Sequence, residues 1–173
     1  MTMAERNEEK EFRFARALAE ARGFGLEVRE VDSSRPWGGF IRFERASLEA
    51  FLKAYWRDTP VRHTHLDLDA KLLLVAPGRR LSLQSHARRA EMWRVLEGPV
   101  LLTLGDDPEH VADSWRKPTE VIEIPCGQVH RLAAPPESWG LVAEFWQHTD
   151  PDNASDEDDV VRYHDDYGRS TTA

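Results

Sequence analysis

From Lys71 to Trp146 the chain repeats one pattern: a short apolar or alternating run, then a turn marked by Pro or Gly. The runs are KLLLVA, RLSLQSH, EMWRVLE, VLLTLG, EVIEIP, HRLAA and LVAEFWQ, with Pro77-Gly78, Gly98-Pro99, Gly105 to Pro108, Pro125 to Gly127 and Pro135-Pro136 among the turns. Turn signals at intervals of roughly 8 to 12 residues predict an all-β sandwich or barrel, and the missing strand–helix alternation disfavours a doubly wound parallel sheet. A chain of 173 residues is the size of one domain.

Two helices are expected around this β unit. Phe12, Phe14, Ala15, Leu18 and Ala19 fall at helical spacing from Glu5 to Arg22, with Gly23 as the stop. Ser47, with Glu49 behind it, reads as the N-cap of a second helix carrying Leu48, Phe51, Leu52, Tyr55 and Trp56 as far as Pro60. Period-two runs, LEVREVD and FIRFE, flank the Arg35 to Gly39 turn. The expected organisation is a helical extension over 1–30, a barrel over 31–149 with an insertion at 47–60, and an acidic tail over 150–173 that packs on the barrel.

Charge is segregated along the chain. Residues 150–166 hold eight acids against Arg162, and residues 71–94 hold six bases against Glu91. The basic cluster is too small, and too free of binding motifs, for nucleic acid, whereas a phosphorylated small molecule needs only two or three cations. No apolar run is long enough for a membrane span, and the first residues, MTMAERNEEKEF, are charged where an export signal would be apolar. Cys126 is the single cysteine, which excludes an intrachain disulfide and a thiolate zinc cluster and fits a reducing cytoplasm.

Gln84 and His86, two apart on one strand, share a face, and Glu91 follows on the next strand after a tight connection. The turn at Pro125 to Gly127 delivers His130. Two imidazoles, a carboxylate and an amide oxygen suit a borderline divalent ion, zinc first, with iron, manganese, cobalt or nickel as alternatives. Taken singly, each residue also reads as a hydrogen-bonded core or surface group. His63, His65, Asp67 and Asp69 form a second HxHxD pattern with no distant partner motif.

Gly78, Gln84, His86, Glu91, Gly98, Pro125, Gly127 and His130 follow the order and spacing of the two cupin motifs, here G…QxHx4Ex6G and PxGxxH. The chain resembles the cupin superfamily, with Gln84 where many members have a first His and Ala134 in place of the usual Asn. Arg35-Pro36-Trp37-Gly38, Leu81 to His86, Arg89 to Trp93, Ile124-Pro125, His130-Arg131-Leu132, Asp158 to Arg162 and Asp165 to Arg169 are similar to the type II mannose-6-phosphate isomerase family. Ala87 and Arg88 replace the histidines that often follow the ligand His there, and Ser47 to Pro60 is inserted. In that family the cupin often follows a nucleotidyltransferase; no Gly-rich nucleotide segment is present here, so a short stand-alone member is expected.

The resemblance implies a cupin jelly-roll barrel and a metal-dependent isomerase that moves a proton between C1 and C2 of a sugar phosphate through an enediol, mannose 6-phosphate to fructose 6-phosphate. The alternatives are a non-catalytic cupin that binds a sugar phosphate or sugar nucleotide and, more remotely, an iron dioxygenase. Lys71 and Glu144 are the proton-transfer candidates, or else pair with each other. Arg89 and Arg131 flank the ligand set as clamps for phosphate or enediolate, or else pair with the acidic tail. Trp93 shares the face of Glu91 and either stacks on a sugar or fills the core, and Trp37 lines a pocket mouth or staples its turn. Pairing of two barrels as a homodimer is compatible with the resemblance.

Overall fold

The structure, a computed structural model, describes residues 2–59, 68–150 and 152–171. Eleven strands among these residues form two sheets. The first contains β1 (Val28–Asp32), β2 (Gly38–Phe43), β3 (Leu68–Val75), β5 (Arg89–Glu97), β8 (Val121–Ile124) and β10 (Gly140–His148), in the order β1-β2-β3-β10-β5-β8. The second contains β4 (Leu83–Ser85), β6 (Val100–Asp107), β7 (His110–Arg116), β9 (Val129–Ala133) and β11 (Val161–His164), in the order β11-β4-β9-β6-β7. All the pairings are antiparallel. The fold is a cupin barrel.

The first sheet is covered on both faces, which explains why KLLLVA and LVAEFWQ read as continuous apolar runs. One face of β3 and β10 gives Leu72, Leu74, Leu141, Ala143 and Phe145 to a layer completed by α1 (Met3–Gly23) and α2 (Leu48–Tyr55). Phe43, Phe51, Trp56 and Phe145 meet there, ring on ring, each buried side chain contributing roughly 1.5–3 kcal/mol. The other face gives Leu73, Val75 and Val142, which pack with Trp93, Val95, Leu102 and Leu132 between the two sheets. Further along the same alternation, Lys71, Glu144 and Trp146 face the barrel interior, and the site begins where this apolar layer ends.

Several boundaries differ from the sequence expectation, for local reasons. Helix α1 starts earlier, at Met3, because Thr2 and Glu5 form a reciprocal capping box. Its end is shaped by Gly25, at φ 76°, rather than by Gly23, which lies inside the helix. Ser47 does not cap α2: its backbone is already helical after a single 3-10 turn at Arg45–Ser47, and its Oγ accepts the Glu27 N–H at 2.8 Å, fixing the start of β1. Helix α2 ends at Tyr55, well before Pro60, and Trp56 turns inward against Phe145. Gly38 and Gly39 belong to β2, and a Cβ on Gly38 would lie 1.9 Å from the Leu74 carbonyl oxygen, so this close crossing requires glycine.

Strands β7 and β11 have no counterpart in the sequence reading. Strand β7 is a largely exposed edge with a polar sequence, HVADSWR. Strand β11 lies inside the stretch read as an acidic tail and pairs with β4. No helix among the described residues is long and apolar enough to cross a membrane.

Candidate active site

Strand alternation assembles the site. Strand β5 begins at Arg89, so the connection after His86 is only Ala87-Arg88, and Arg89, Glu91 and Trp93 all point inward. Gln84 is paired in register with His130 across β4 and β9, and His86 follows at the end of β4. His86 Nε2 lies 3.2 Å from Glu91 Oε1, and His130 Nε2 lies 3.4 Å from Glu91 Oε2. One donor atom from each of the three residues falls within 4.8 Å of the others, and all three residues are buried. Gln84 Nε2 is 3.3 Å from His86 Nε2, while its Oε1 accepts from Ser82 Oγ at 2.7 Å.

The outer nitrogens settle the tautomers. His86 Nδ1 donates to the Asp159 carbonyl, and His130 Nδ1 donates to the Gln128 carbonyl at 2.9 Å. A carbonyl only accepts, so both protons sit on Nδ1 and both Nε2 lone pairs face Glu91. Burial, together with the neighbouring Arg89 and His130, lowers the His86 pKa to about 4, which keeps the ring neutral near pH 7. Burial opposes ionisation of Glu91, but attraction to His86 and His130 in their protonated forms and to Arg89 outweighs it and holds the carboxyl well below its ordinary range.

These residues fit a divalent ion. His130 Nε2 is buried and makes no hydrogen bond among the described residues, leaving an orphaned lone pair beside an ionised carboxylate. Backbone carbonyls orient both rings, as is usual around metal-ligating imidazoles. His86 Nε2 is approached by Arg89 Nη2 at 3.1 Å, and Arg89 Nε also donates to Glu91 Oε1 at 2.9 Å. A guanidinium can only donate, which agrees with the Nδ1–H tautomer of His86.

A cleft of about 610 Å³, counting its mouth, opens above the cluster. Glu144 lies on its wall, buried, in register with Lys71 on one side and Trp93 on the other. Trp93 Nε1 donates to Glu91 Oε2 at 3.1 Å and to Glu144 Oε1 at 3.3 Å, joining the two carboxyl groups. Burial first, and then the Glu91 charge, raise the Glu144 pKa to about 7, against the pull of Lys71 and Arg89. Burial lowers the Lys71 pKa to about 7, with Glu144 opposing and Arg42 and Arg89 adding to the fall. Trp93 thus both packs in the core and holds the carboxylates, while Trp37 is buried on the cleft wall.

Arg131 is not at this cleft. As the neighbour of inward-facing His130 it must face outward, where its guanidinium donates to the His164 carbonyl at 3.3 Å in a groove with Arg80 and Asp113. The expectation that it clamps a ligand beside His130 ignored this alternation. Arg89 is at the cleft and is also tied to the acidic segment, through Ser155 Oγ and the Asp156 carbonyl, each at 2.9 Å. Lys71 forms no ion pair with Glu144 among the described residues; it pairs with Glu157 instead. His63, His65 and Asp67 lie outside the described residues, and Asp69 is buried with Oδ2 3.5 Å from His148 Nε2.

Four residues at or next to the cleft were missed from sequence, Trp146 and Glu157 on its wall and Arg42 and Asp159 beside it. Trp146 presents its ring to Lys71 Nζ at 3.8 Å and to Arg89 Cζ at 3.6 Å. Arg42 is paired in register with Lys71, and its alternation with Phe40 in FIRFE was the available signal. Glu157 and Asp159 come from the acidic segment, where nothing in the sequence separates them from solvated neighbours. The Asp159 carboxylate accepts the Ala87 and Arg88 N–H groups, each at 3.0 Å, and Ser155 Oγ at 2.6 Å.

Comparison with known proteins adds the lineage. The family described as Mannose-6-phosphate isomerase C-terminal matches residues 44–165. The xanthan biosynthesis protein XanB of Xanthomonas campestris pv. campestris is 36% identical over 100 residues, which cover 58% of this chain and 20% of that protein. The mannose-1-phosphate guanylyltransferase of Escherichia coli K12 is 35% identical over 99 residues, 57% of this chain and 19% of that protein. The chain thus matches about a fifth of the length of these curated relatives. The capsular polysaccharide assembling protein CapF from Staphylococcus aureus superposes with a TM-score of 0.50 at 17% identity, covering 79% of this chain and 34% of that one, a likeness of fold. With most of its length inside that family match and both cupin motifs meeting in one cleft, the chain belongs to the mannose-6-phosphate isomerase C-terminal family of cupins.

Proposed function

We propose that this protein is a divalent-metal-dependent aldose–ketose isomerase of sugar phosphates, with mannose 6-phosphate to fructose 6-phosphate as the first reaction to test. The observation that carries the reading is the convergence of His86, Glu91 and His130 beneath a cleft whose wall holds a second, separately tuned carboxyl, Glu144. His86, Glu91 and His130 would hold the ion, zinc being the first choice for this donor set, and Gln84 would join them only with its amide turned so that Oε1, now bonded to Ser82, faces the ion. Such an ion supplies Lewis acidity to the substrate oxygens at C1 and C2.

The chain's own groups account for the rest. Isomerisation removes a proton from C2 of the aldose, passes through an enediol and returns a proton to C1. A base whose pKa lies near the working pH both takes and returns that proton, and Glu144, raised to about 7, has that property. Trp93 Nε1 fixes its carboxyl. Arg89, held against Trp146 and Glu91, sets a permanent positive charge beside the oxygens that become negative. The aromatic walls of Trp37, Trp93 and Trp146 exclude water from the intermediate.

Incubation of metal-loaded protein with mannose 6-phosphate in deuterated water tests this. The expected result is formation of the ketose with deuterium at its C1 and deuterium at C2 of the aldose re-formed; neither exchange nor ketose with any hexose or heptose phosphate overturns it. The second reading, binding of a sugar phosphate or sugar nucleotide without turnover, is favoured by Glu157, which already occupies the cleft mouth. It predicts ligand-induced stabilisation with no exchange.

A further inference from the structure

Lys71 on the cleft wall and Arg42, paired with it in register and also 4.0 Å from Glu30, share one carboxylate from the C-terminal segment. Lys71 is 4% exposed and Arg42 is 12% exposed, and both meet the same atom, Oε1 of Glu157, whose own side chain is 48% exposed. This asymmetry is informative. Burying an ammonium and a guanidinium side by side is costly unless an anion faces them, yet the anion here enters from solvent on a short side chain. Its flanks are tied down separately: Asp156 accepts from Arg88 and from the Asp158 and Asp159 N–H groups, and Asp159 holds the Ala87 and Arg88 N–H groups. Among the described residues Glu157 bonds only the two cations, so its carboxylate can swing out without unfolding the segment.

The cations are built to stay in place without it. Trp146 presents its ring to Lys71 at 3.8 Å and to Arg42 Cζ at 5.3 Å, and Phe40 lies under both, at 4.9 Å from Lys71 Nζ and 6.0 Å from Arg42 Cζ. Donor capacity is left over: Arg42 Nε and Arg162 Nε are buried with no hydrogen bond among the described residues, and Arg162 lines the same cleft. A carboxylate meeting both cations through one oxygen is a poor match for this array, whereas a phosphoryl group offers three oxygens.

We propose that Arg42 and Lys71 form an anion subsite for the phosphoryl group of the ligand, and that Glu157 occupies this subsite as an internal, displaceable stand-in. The choice of a phosphoryl group rests on the sugar-phosphate reading above; the anion site itself rests on the ion pairs and burial. Ligand entry then exchanges one anion for another, and the C-terminal segment sets the affinity of the cleft.

Inorganic phosphate is the probe, titrated calorimetrically into the EDTA-treated chain so that neither bound metal nor turnover contributes. If the carboxylate fills the subsite nine-tenths of the time, its removal raises apparent affinity about tenfold. The expected result is therefore that Glu157→Gln binds phosphate about tenfold more tightly than the parent, and that Arg42→Gln in the Glu157→Gln background abolishes the gain. Circular dichroism and melting curves show that each variant is folded; if Arg42→Gln does not fold, Lys71→Met in the same background takes its place. Equal affinity in parent and Glu157→Gln, or a gain that survives loss of the cation, overturns the proposal. A hexose 6-phosphate and a nucleoside diphosphate sugar, run as parallel arms, distinguish a monoester from a diphosphate by which one shows the gain. An inactive isomerase that nonetheless shows the gain sinks only the proposed reaction, and an active one without it sinks only the subsite.

Discussion

Replacing Asp159 by Ala removes one carboxylate that accepts three hydrogen bonds, from the Ala87 and Arg88 main chain and from Ser155 Oγ. The residue is 7% exposed, so the abandoned donors do not simply turn to water. Hydrogen bonds to a charged group contribute about 1.5–3 kcal/mol each when lost singly, but the segment relaxes and recovers part of this, giving a net cost of about 2–4 kcal/mol. For a chain of this size that lowers Tm by roughly 5–12 °C. A second effect is local: the Asp159 carbonyl orients the His86 ring, and loosening such a partner costs about 10–100-fold in metal affinity. The pH dependence has a definite sign. Burial alone would raise the Asp159 pKa, but Ser155 and the two amide donors outweigh it and hold the carboxyl below its ordinary value. Its stabilisation is therefore present above the unfolded pKa of about 3.9 and is lost as pH falls below that value, so the Tm gap between parent and variant closes on acidification. Differential scanning calorimetry from pH 7 down to about pH 2, with metal affinity measured at pH 7 against a chelating indicator, is the assay. A Tm within about 1 °C of the parent at pH 7, together with unchanged metal affinity, would refute the reasoning.

Two further outcomes follow from the site. Glu144→Gln keeps the shape and the Trp93 contact but cannot accept a proton, so deuterium exchange at C2 should fall about 10²- to 10⁴-fold while metal content is unchanged; parallel loss of metal would make Glu144 a structural residue. In nitrogen-15 spectra of the metal-free protein at pH 6, His86 should show a protonated Nδ1 and a bare Nε2, as its carbonyl partner requires; an imidazolium signal from His86 would contradict its pKa of about 4.

The barrel was legible in the sequence because strand and turn chemistry is local. Seven apolar runs became strands, and His86, Glu91 and His130 converge, with Gln84 beside His86, because period two and the Pro125 to Gly127 turn dictate their faces. The same rule, applied one residue further, would have placed Arg131 outside, since it follows His130 directly. The remainder depends on contacts between distant segments. Strand β11 carries little apolar pattern because its stability comes from pairing with β4. Glu157 and Asp159 resemble their acidic neighbours until folding sets them against Lys71 and His86, 86 and 73 residues away in sequence. Lys71 and Glu144 lie opposite each other across β3 and β10, yet the ion-pair partner of Lys71 was not predictable, since Glu157 arrives from outside the sheet.

The central claim, that His86, Glu91 and His130 together hold one divalent ion, is tested most directly by metal titration of the EDTA-stripped chain beside His86→Ala, Glu91→Gln and His130→Ala. The account predicts one saturable ion per chain in the parent and loss of that binding in each folded variant. No saturable binding in the parent, or binding left intact when these side chains are changed, would contradict it.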